Sequence, residues 1–200
     1  MRNPHGRLGL MNPLMNSLNA NARAPHWLAI RLPHLALDLH TRGHSGRETA
    51  IAVSALAGGR EQIIDCNPAA LIGGVRPGMP ASAARAILNE LHTVERDPEA
   101  VQHALERLAA CCYQYSNQVC IPGERDGLLL EAGASERLFG TPQTLGARLH
   151  RELGQLGYHA MSGSAGTPEA AWLAAGESRH ITARGQLRDE LGPVTLDRLP

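Results

Sequence analysis

The run Gly127-Leu128-Leu129-Leu130-Glu131-Ala132 limits the choice of fold more than any other stretch of this chain. Nearly every residue in it is apolar, so a strand built from it belongs in a sheet covered on both faces, or with one face lining a site. Amphipathic helices stand ready to cover it. Three helix starts share one pattern, a short polar N-cap followed by proline in the first turn: Asp97-Pro98, Thr141-Pro142 and Thr167-Pro168. The cap oxygen takes a free first-turn N–H, and proline has none to leave unpaired. After Pro98, the residues Val101, Ala104, Leu105, Leu108 and Cys112 fall on one face; after Pro142, Leu145, Leu149, Leu153 and Leu156 do the same.

Other strands are legible. Trp27-Leu28-Ala29-Ile30-Arg31-Leu32 reads as a buried strand ended by Pro33, which removes a ladder donor. Thr49 to Ala55 reads as a second, Gly58-Gly59 as a turn and Ile63-Ile64 as a short third. Strands and helices alternate loosely, so the class is α/β or α+β and not all-α. With 200 residues, 43% hydrophobic and 19% charged, the chain can bury one good core and a second small one.

Charge and residue usage exclude several chemistries. The 19 basic and 19 acidic residues cancel, without the positive balance of a dedicated nucleic-acid binder. Every basic residue is Arg, so a lysine Schiff base, general acid or phosphate clamp is ruled out within this chain. Over residues 1–60, Arg2, Arg7, Arg23, Arg31, Arg42, Arg47 and Arg60 face only Asp38 and Glu48. That basic front is either a phosphate-facing surface or a solvated face with a basic tail. Cys66, Cys111, Cys112 and Cys120 have neither C-x-x-C spacing nor paired His at zinc-ligand distance. They are expected to be buried thiols in a reducing cytoplasm, with no metal and no cofactor. No run approaches the ~18 apolar residues of a membrane span, and the first 24 residues lack the apolar core of a secretory signal. The ten histidines are dispersed without H-E-x-x-H, and Ser162-Gly163-Ser164 is not a G-x-S-x-G elbow.

The segment Gly74-Val75-Arg76-Pro77-Gly78-Met79-Pro80-Ala81-Ser82-Ala83-Ala84-Arg85 resembles the G-V-R-x-G-M-P-x-x-x-A signature in the fingers of Y-family (UmuC/DinB-like) DNA polymerases. Leu128 to Gly140 (LLLEAGASERLFG) is similar to the family's second palm strand and following loop, and Gly157 to Ala175 resembles its l-G-x-x-x-s-x-G-I-a-x-N-K-x-L-A-K-x-A stretch. The resemblance implies an α/β (α+β) fold with a palm sheet, packed helices and a small fingers domain, truncated early in the thumb. It divides the chain into a flexible basic tail at 1–24, palm-like parts at 25–42 and 95–165, a fingers-like part at 43–94 and the start of a thumb-like region at 166–200. On that reading the chain is a fragment of a longer protein or the product of a shortened gene.

Template-directed phosphoryl transfer needs two divalent cations held by carboxylates. Active relatives carry I-D-x-D on the first palm strand, where this chain has Ile30-Arg31-Leu32-Pro33. A guanidinium there repels Mg²⁺. The later S-x-D-E pair aligns with Asp126-Gly127, so one carboxylate survives and the neighbouring Glu is lost. The Tyr and Arg that face the triphosphate become Pro68 and Leu71, and the lysines of a later helix become Pro168 and Trp172. The resemblance therefore implies a degenerate site without catalytic, nucleotide-binding or metal-ligating residues. Leu71 and Trp172 are expected as core or interface residues filling the emptied space. Arg31, charged on a buried strand, needs a carboxylate, for which Asp126 is the expected partner, or a DNA phosphate. Arg31, Arg76 and Arg85 are the candidate DNA contacts.

The Leu32-Pro33 pair, Tyr115-Ser116 and Gly127-Leu128-Leu129-Leu130-Glu131 together are most similar to the ImuB-type subgroup of the family. That likeness implies a non-catalytic accessory factor of DNA repair, damage-induced (SOS) mutagenesis and translesion synthesis. It implies weak contact with damaged or primer-template DNA. It also implies a sliding clamp, an ImuA-like RecA-related protein and an error-prone C-family DNA polymerase as partners, met mostly through a carboxy-terminal half outside this sequence. Two other readings stay open. A divergent active translesion polymerase would need Asp38, Asp65 and Asp126 to converge within about 5 Å. A pure protein-interaction module would make no DNA contact.

Overall fold

A computed structural model describes residues 25–42, 49–123 and 125–181. The basic tail at 1–24, the residues beyond 181, and Arg47 and Glu48 of the basic front lie outside the described residues.

Strand β1 (Trp27–Arg31) stops before Pro33, and helix α1 (Leu35–Thr41) follows at once. A hairpin comes next, made of β2 (Ile51–Ala57) and β3 (Arg60–Cys66). Its Gly58-Gly59 turn takes positive φ at both residues (56° and 76°), the geometry that matches strand twist across a two-residue loop. Strand β2 sits two positions later than the hydrophobic pattern indicates, and β3 runs well beyond Ile63-Ile64, because pairing from Ala57↔Arg60 to Ala52↔Cys66, with a register shift between Val53 and Ser54, carries polar residues into the ladder. Short helices α2 (Pro68–Ile72) and α3 (Ala81–Ile87) precede β4 (His92–Glu95), which lies parallel to β2. The order in this three-stranded sheet is β3-β2-β4.

The three capped helix starts form as expected. Asp97 caps α4 (Pro98–Cys112), Thr141 caps α6 (Pro142–Gln155) and Thr167 caps α7 (Pro168–Gly176), each with its side chain accepting a first-turn N–H. A fourth, Asn67-Pro68, follows the same rule at α2 and is not among the three read from the sequence. Between α4 and α7 lie β5 (Val119–Cys120), β6 (Gly127–Glu131), α5 (Glu136–Phe139) and β7 (Met161–Ala165). The second sheet runs β5-β6-β1-β7, antiparallel throughout.

Both faces of this sheet are covered, as the apolar run in β6 demands. Strand alternation sends Leu28, Ile30, Leu32, Leu128 and Leu130 to the face that packs on α4 and α6. Ala29, Leu129 and Ala165 point the other way, against Ala170, Ala171, Ala174 and Ala175 of α7. The small residues let α7 lie unusually close. A Cβ on Gly163 would collide with Ala175 N and sit 2.5 Å from Ala175 Cα.

Several expectations about burial need correction. Leu156 is exposed, because α6 ends at Gln155 and Leu156 serves as its C-cap residue. Cys66 and Cys112 are buried, but Cys111 and Cys120 are exposed. Cys111 precedes Cys112 on α4 and so turns about 100° away from the sheet, while Cys120 belongs to a two-residue edge strand.

Candidate functional site

Arg31, Asp126, Gly127 and Trp172 meet at one end of the four-stranded sheet. Arg31 pairs with Gly127 in the β1–β6 register, and Leu32 N–H donates to the Asp126 carbonyl at 2.8 Å, carrying the ladder one step further. Alternation then separates the side chains. Arg31 and Gly127 share the α7 face with Ala29 and Leu129, whereas Asp126, one residue on, turns with Leu32 toward the α4 face.

On the α7 face, the Arg31 guanidinium lies 5.2 Å from the centroid of the Trp172 ring, and that of Arg125 lies at 5.3 Å. Arg31 also runs past Gly176, where a Cβ would stand 2.5 Å from its Nη1. Trp172 is buried, and its indole presses on Gly127: a Cβ there would meet two ring carbons at 2.9 Å and collide with the Ile30 carbonyl oxygen. The bare backbone at Gly127 and the indole at 172 are thus sterically linked.

On the α4 face, Arg96 holds both oxygens of Asp126, donating from Nη1 at 2.9 Å and from Nη2 at 3.0 Å. Such a fork-on-carboxylate pair has fixed geometry as well as charge. The Arg96 backbone is anchored too, its N–H donating to Ser54 O at 2.8 Å at the end of the β2–β4 ladder. Asp126's hydrogen bonds, ahead of the opposing effect of burial, raise the Arg96 pKa above its ordinary value. The expected Arg31–Asp126 pair therefore does not form. The two side chains leave the sheet on opposite faces, and Arg96 reaches the carboxylate from the neighbouring sheet.

The other two candidate carboxylates, Asp38 and Asp65, are also engaged, by two histidines whose rings meet edge to face at 5.8 Å. Asp38 is fully buried and accepts the His159 main-chain N–H at 2.8 Å and meets its Nδ1 at 2.6 Å. Asp65 on β3 meets His34 Nδ1 at 2.8 Å. Asp38, Asp65 and Asp126 each have a different partner. Among the described residues no three His, Cys, Asp or Glu side chains come together in a way that could hold a metal. The residues present do not fit a pair of divalent cations: a guanidinium stands at 31, no side chain at 127, and the last carboxylate is already clamped.

Pro68 and Pro168 occupy the first turns of α2 and α7, where the chain uses them to start helices. Leu71 keeps 37% of its surface exposed and is not a core residue, because α2 has a single turn and buries only Ala70. Arg76 donates to the carbonyls of Leu71 (2.5 Å) and Val75 (2.8 Å), and Arg85 pairs with Glu61 at 3.1 Å. The candidate DNA contacts in the signature segment thus have intramolecular partners.

One residue of the site, Arg96, escaped the sequence reading, as did a buried acid at the opposite end of β6, Glu131. Arg96 carries only a faint signal, its place in Glu95-Arg96-Asp97 just before a helix cap, echoed by Glu124-Arg125-Asp126 before β6. Glu131 is an acid inside an apolar strand, and its buried carboxylate accepts N–H groups from His26 (3.1 Å), Gly133 (2.9 Å) and Ala134 (3.1 Å).

The His34–Asp65 pair joins the end of β1 to the other sheet and has a pH signature. The Asp65 hydrogen bond, outweighing burial, raises the His34 pKa above 6.5. The folded state therefore binds the proton more tightly than the unfolded chain. The pair's stabilisation is complete below the ordinary value and is lost as pH rises through the raised one. The stability difference between the protein and His34→Gln, from urea midpoints, is expected to be larger at about pH 5.5 than at about pH 8.5. A difference independent of pH would remove Asp65 as the partner that matters.

The model of the impB/mucB/samB family matches residues 44–176. Protein ImuB of Caulobacter vibrioides is 35% identical over 102 residues, which are 51% of this chain and 22% of that protein. Among solved structures, DinB from Sulfolobus solfataricus aligns with a TM-score of 0.67 at 16% identity, covering 88% of this chain and 53% of that one. An insertion ternary complex of Dbh DNA polymerase aligns with a TM-score of 0.68 at 15% identity, covering 88% and 54%. The chain thus spans about half the length of the solved proteins it matches, and the aligned stretch is about a fifth of the curated relative. At these identities the structural likeness establishes the fold, the mixed α+β arrangement of two sheets with packed helices.

Proposed function

The chain belongs to the impB/mucB/samB family, and on that premise we propose that it is a non-catalytic, polymerase-shaped accessory factor in the handling of damaged DNA. The observation that carries this reading is the state of Asp126. The one carboxylate retained at the matching metal-ligand positions is gripped at both oxygens by Arg96. Arg31 and Trp172 occupy the neighbouring ground where a second ligand would stand. A cation entering this site would have to displace a bidentate guanidinium and approach a second one, both unfavourable.

In this reading the four-stranded sheet with α4, α6 and α7 is the palm, the three-stranded sheet with α2 and α3 is the fingers, and the shape is kept for placement. The partners implied by likeness to ImuB-type proteins are a sliding clamp, an ImuA-like RecA-related protein and an error-prone C-family polymerase, with the synthesis left to the last. They belong to the same proposal.

The test is primer extension by the purified chain in Mg²⁺ or Mn²⁺, beside titration of primer-template DNA at two salt concentrations. No extension, with weak salt-sensitive binding, is the expected result. Extension abolished by Asp126→Ala would overturn the reading in favour of a divergent polymerase. The internal partners of Arg76 and Arg85 favour a second reading, a protein-interaction module without DNA contact. Binding undetectable at the lower salt would select it.

A further inference from the structure

We propose that the groove between α1 and α4 docks an acidic amphipathic helix of another protein. The groove encloses about 320 Å³ on the outer surface of the helix layer. Its apolar lining is Ala36 and Leu39 from α1 and Ala100, Val101 and Ala104 from α4. Ala100 and Ala104 stand one turn apart, the spacing at which a side-chain ridge of a third helix settles between neighbours.

Charge on the rim sets the kind of occupant. Arg42 and His40 stand on one wall, His103 and Arg107 on the other. The only carboxylate in the lining is Asp97, which already accepts the main-chain N–H groups of Glu99 and Ala100 as the α4 cap. Arg107 has no ion-pair partner among the described residues. Arg42 stacks 5.0 Å from the Tyr158 ring and donates to its hydroxyl, so it is held in place by a group without formal charge. Two guanidiniums and two imidazoles thus face one committed carboxylate across an apolar floor. The complementary surface is acidic at its flanks and apolar along its centre.

Other occupants fit less well. Residues 1–24 carry three Arg and no acid, so this chain's own amino-terminal segment would be repelled. Single-stranded nucleic acid favours broad aromatic platforms, and no Phe, Tyr or Trp lines the groove. The groove also lies on helices covering the sheet face opposite Trp172, away from the Arg31–Trp172 half of the candidate site. The inference does not depend on whether that site is inactive.

The test uses the full chain and a fluorescein-labelled helical peptide of about eighteen residues, with Leu at i, i+3, i+4 and i+7 and Glu on both flanks. Saturable anisotropy binding is expected, weakened at least tenfold by His103→Glu/Arg107→Glu. Those residues are exposed, so the fold should survive, as circular dichroism can verify. Arg137→Glu, outside the groove, should leave binding unchanged. Three results would overturn the proposal: no binding at low salt; equal binding of a Leu→Ser peptide, which reports diffuse attraction alone; or displacement of the peptide by stoichiometric primer-template DNA, which would make the groove a nucleic-acid surface.

Discussion

Gly127→Glu, the change that nominally restores a polymerase carboxylate, is expected to destabilise the folded protein by about 3 kcal/mol or more and to restore no primer extension. Any β-carbon at 127 collides with the Ile30 carbonyl oxygen across the β1–β6 ladder and meets two Trp172 ring carbons at 2.9 Å. The strand or the indole must move, and both sit in a packed core. Urea denaturation of Gly127→Ala and Gly127→Glu separates the parts. If sterics dominate, alanine should account for most of the loss. Trp172→Ala relieves the ring contact but opens a cavity and leaves the Ile30 carbonyl, so the loss caused by the change at 127 should be smaller in the Trp172→Ala background without vanishing. Full stability in Gly127→Glu would mean that the indole swings aside freely, and the coupling between 127 and 172 would have to be abandoned.

A comparable loss, about 3 kcal/mol, is expected for Gly163→Ala. Here the obstacle is the backbone of α7 itself, with Ala175 Cα 2.5 Å from the added methyl group and Ala175 N closer still. Gly163 lies opposite Ala29 in the β1–β7 register, at the middle of β7, so the strand cannot yield without loosening that ladder. The helix must lift instead. Trp172 rides on that helix, so the displacement should also loosen its stacking with Arg31 and Arg125 and shift the tryptophan emission along with the melting temperature. A melting temperature equal to that of the unsubstituted protein would show that α7 stands off the sheet.

Much of this molecule is legible from short stretches of chain. Among the described residues, a polar cap followed by proline starts a helix at each occurrence, because the cap bond and the fixed proline φ act within one turn. The rule holds at Asp97, Thr141 and Thr167, and also at Asn67. The apolar run at 127–131 called for cover on both faces or a face lining a site, and α4, α6 and α7 cover both. The fingers signature at 74–85 pointed to the family before any three-dimensional information was needed.

The site was harder to read. Arg31 and Asp126 were the natural pair on charge alone, yet strand alternation places them on opposite faces, a relation that needs the β1–β6 register. Arg96 lies thirty positions from Asp126, and only the packing of one sheet beside the other brings its fork to that carboxylate.

Local stiffness, capping and burial pattern act over a few residues, so the element types and the family resemblance were already written in the amino-acid order. Partner choice among charges, the indole seated over Gly127 and the groove between α1 and α4 depend on how distant segments stack. Their energies are settled by ångström-scale distances that exist only once the two sheets and their helices are packed.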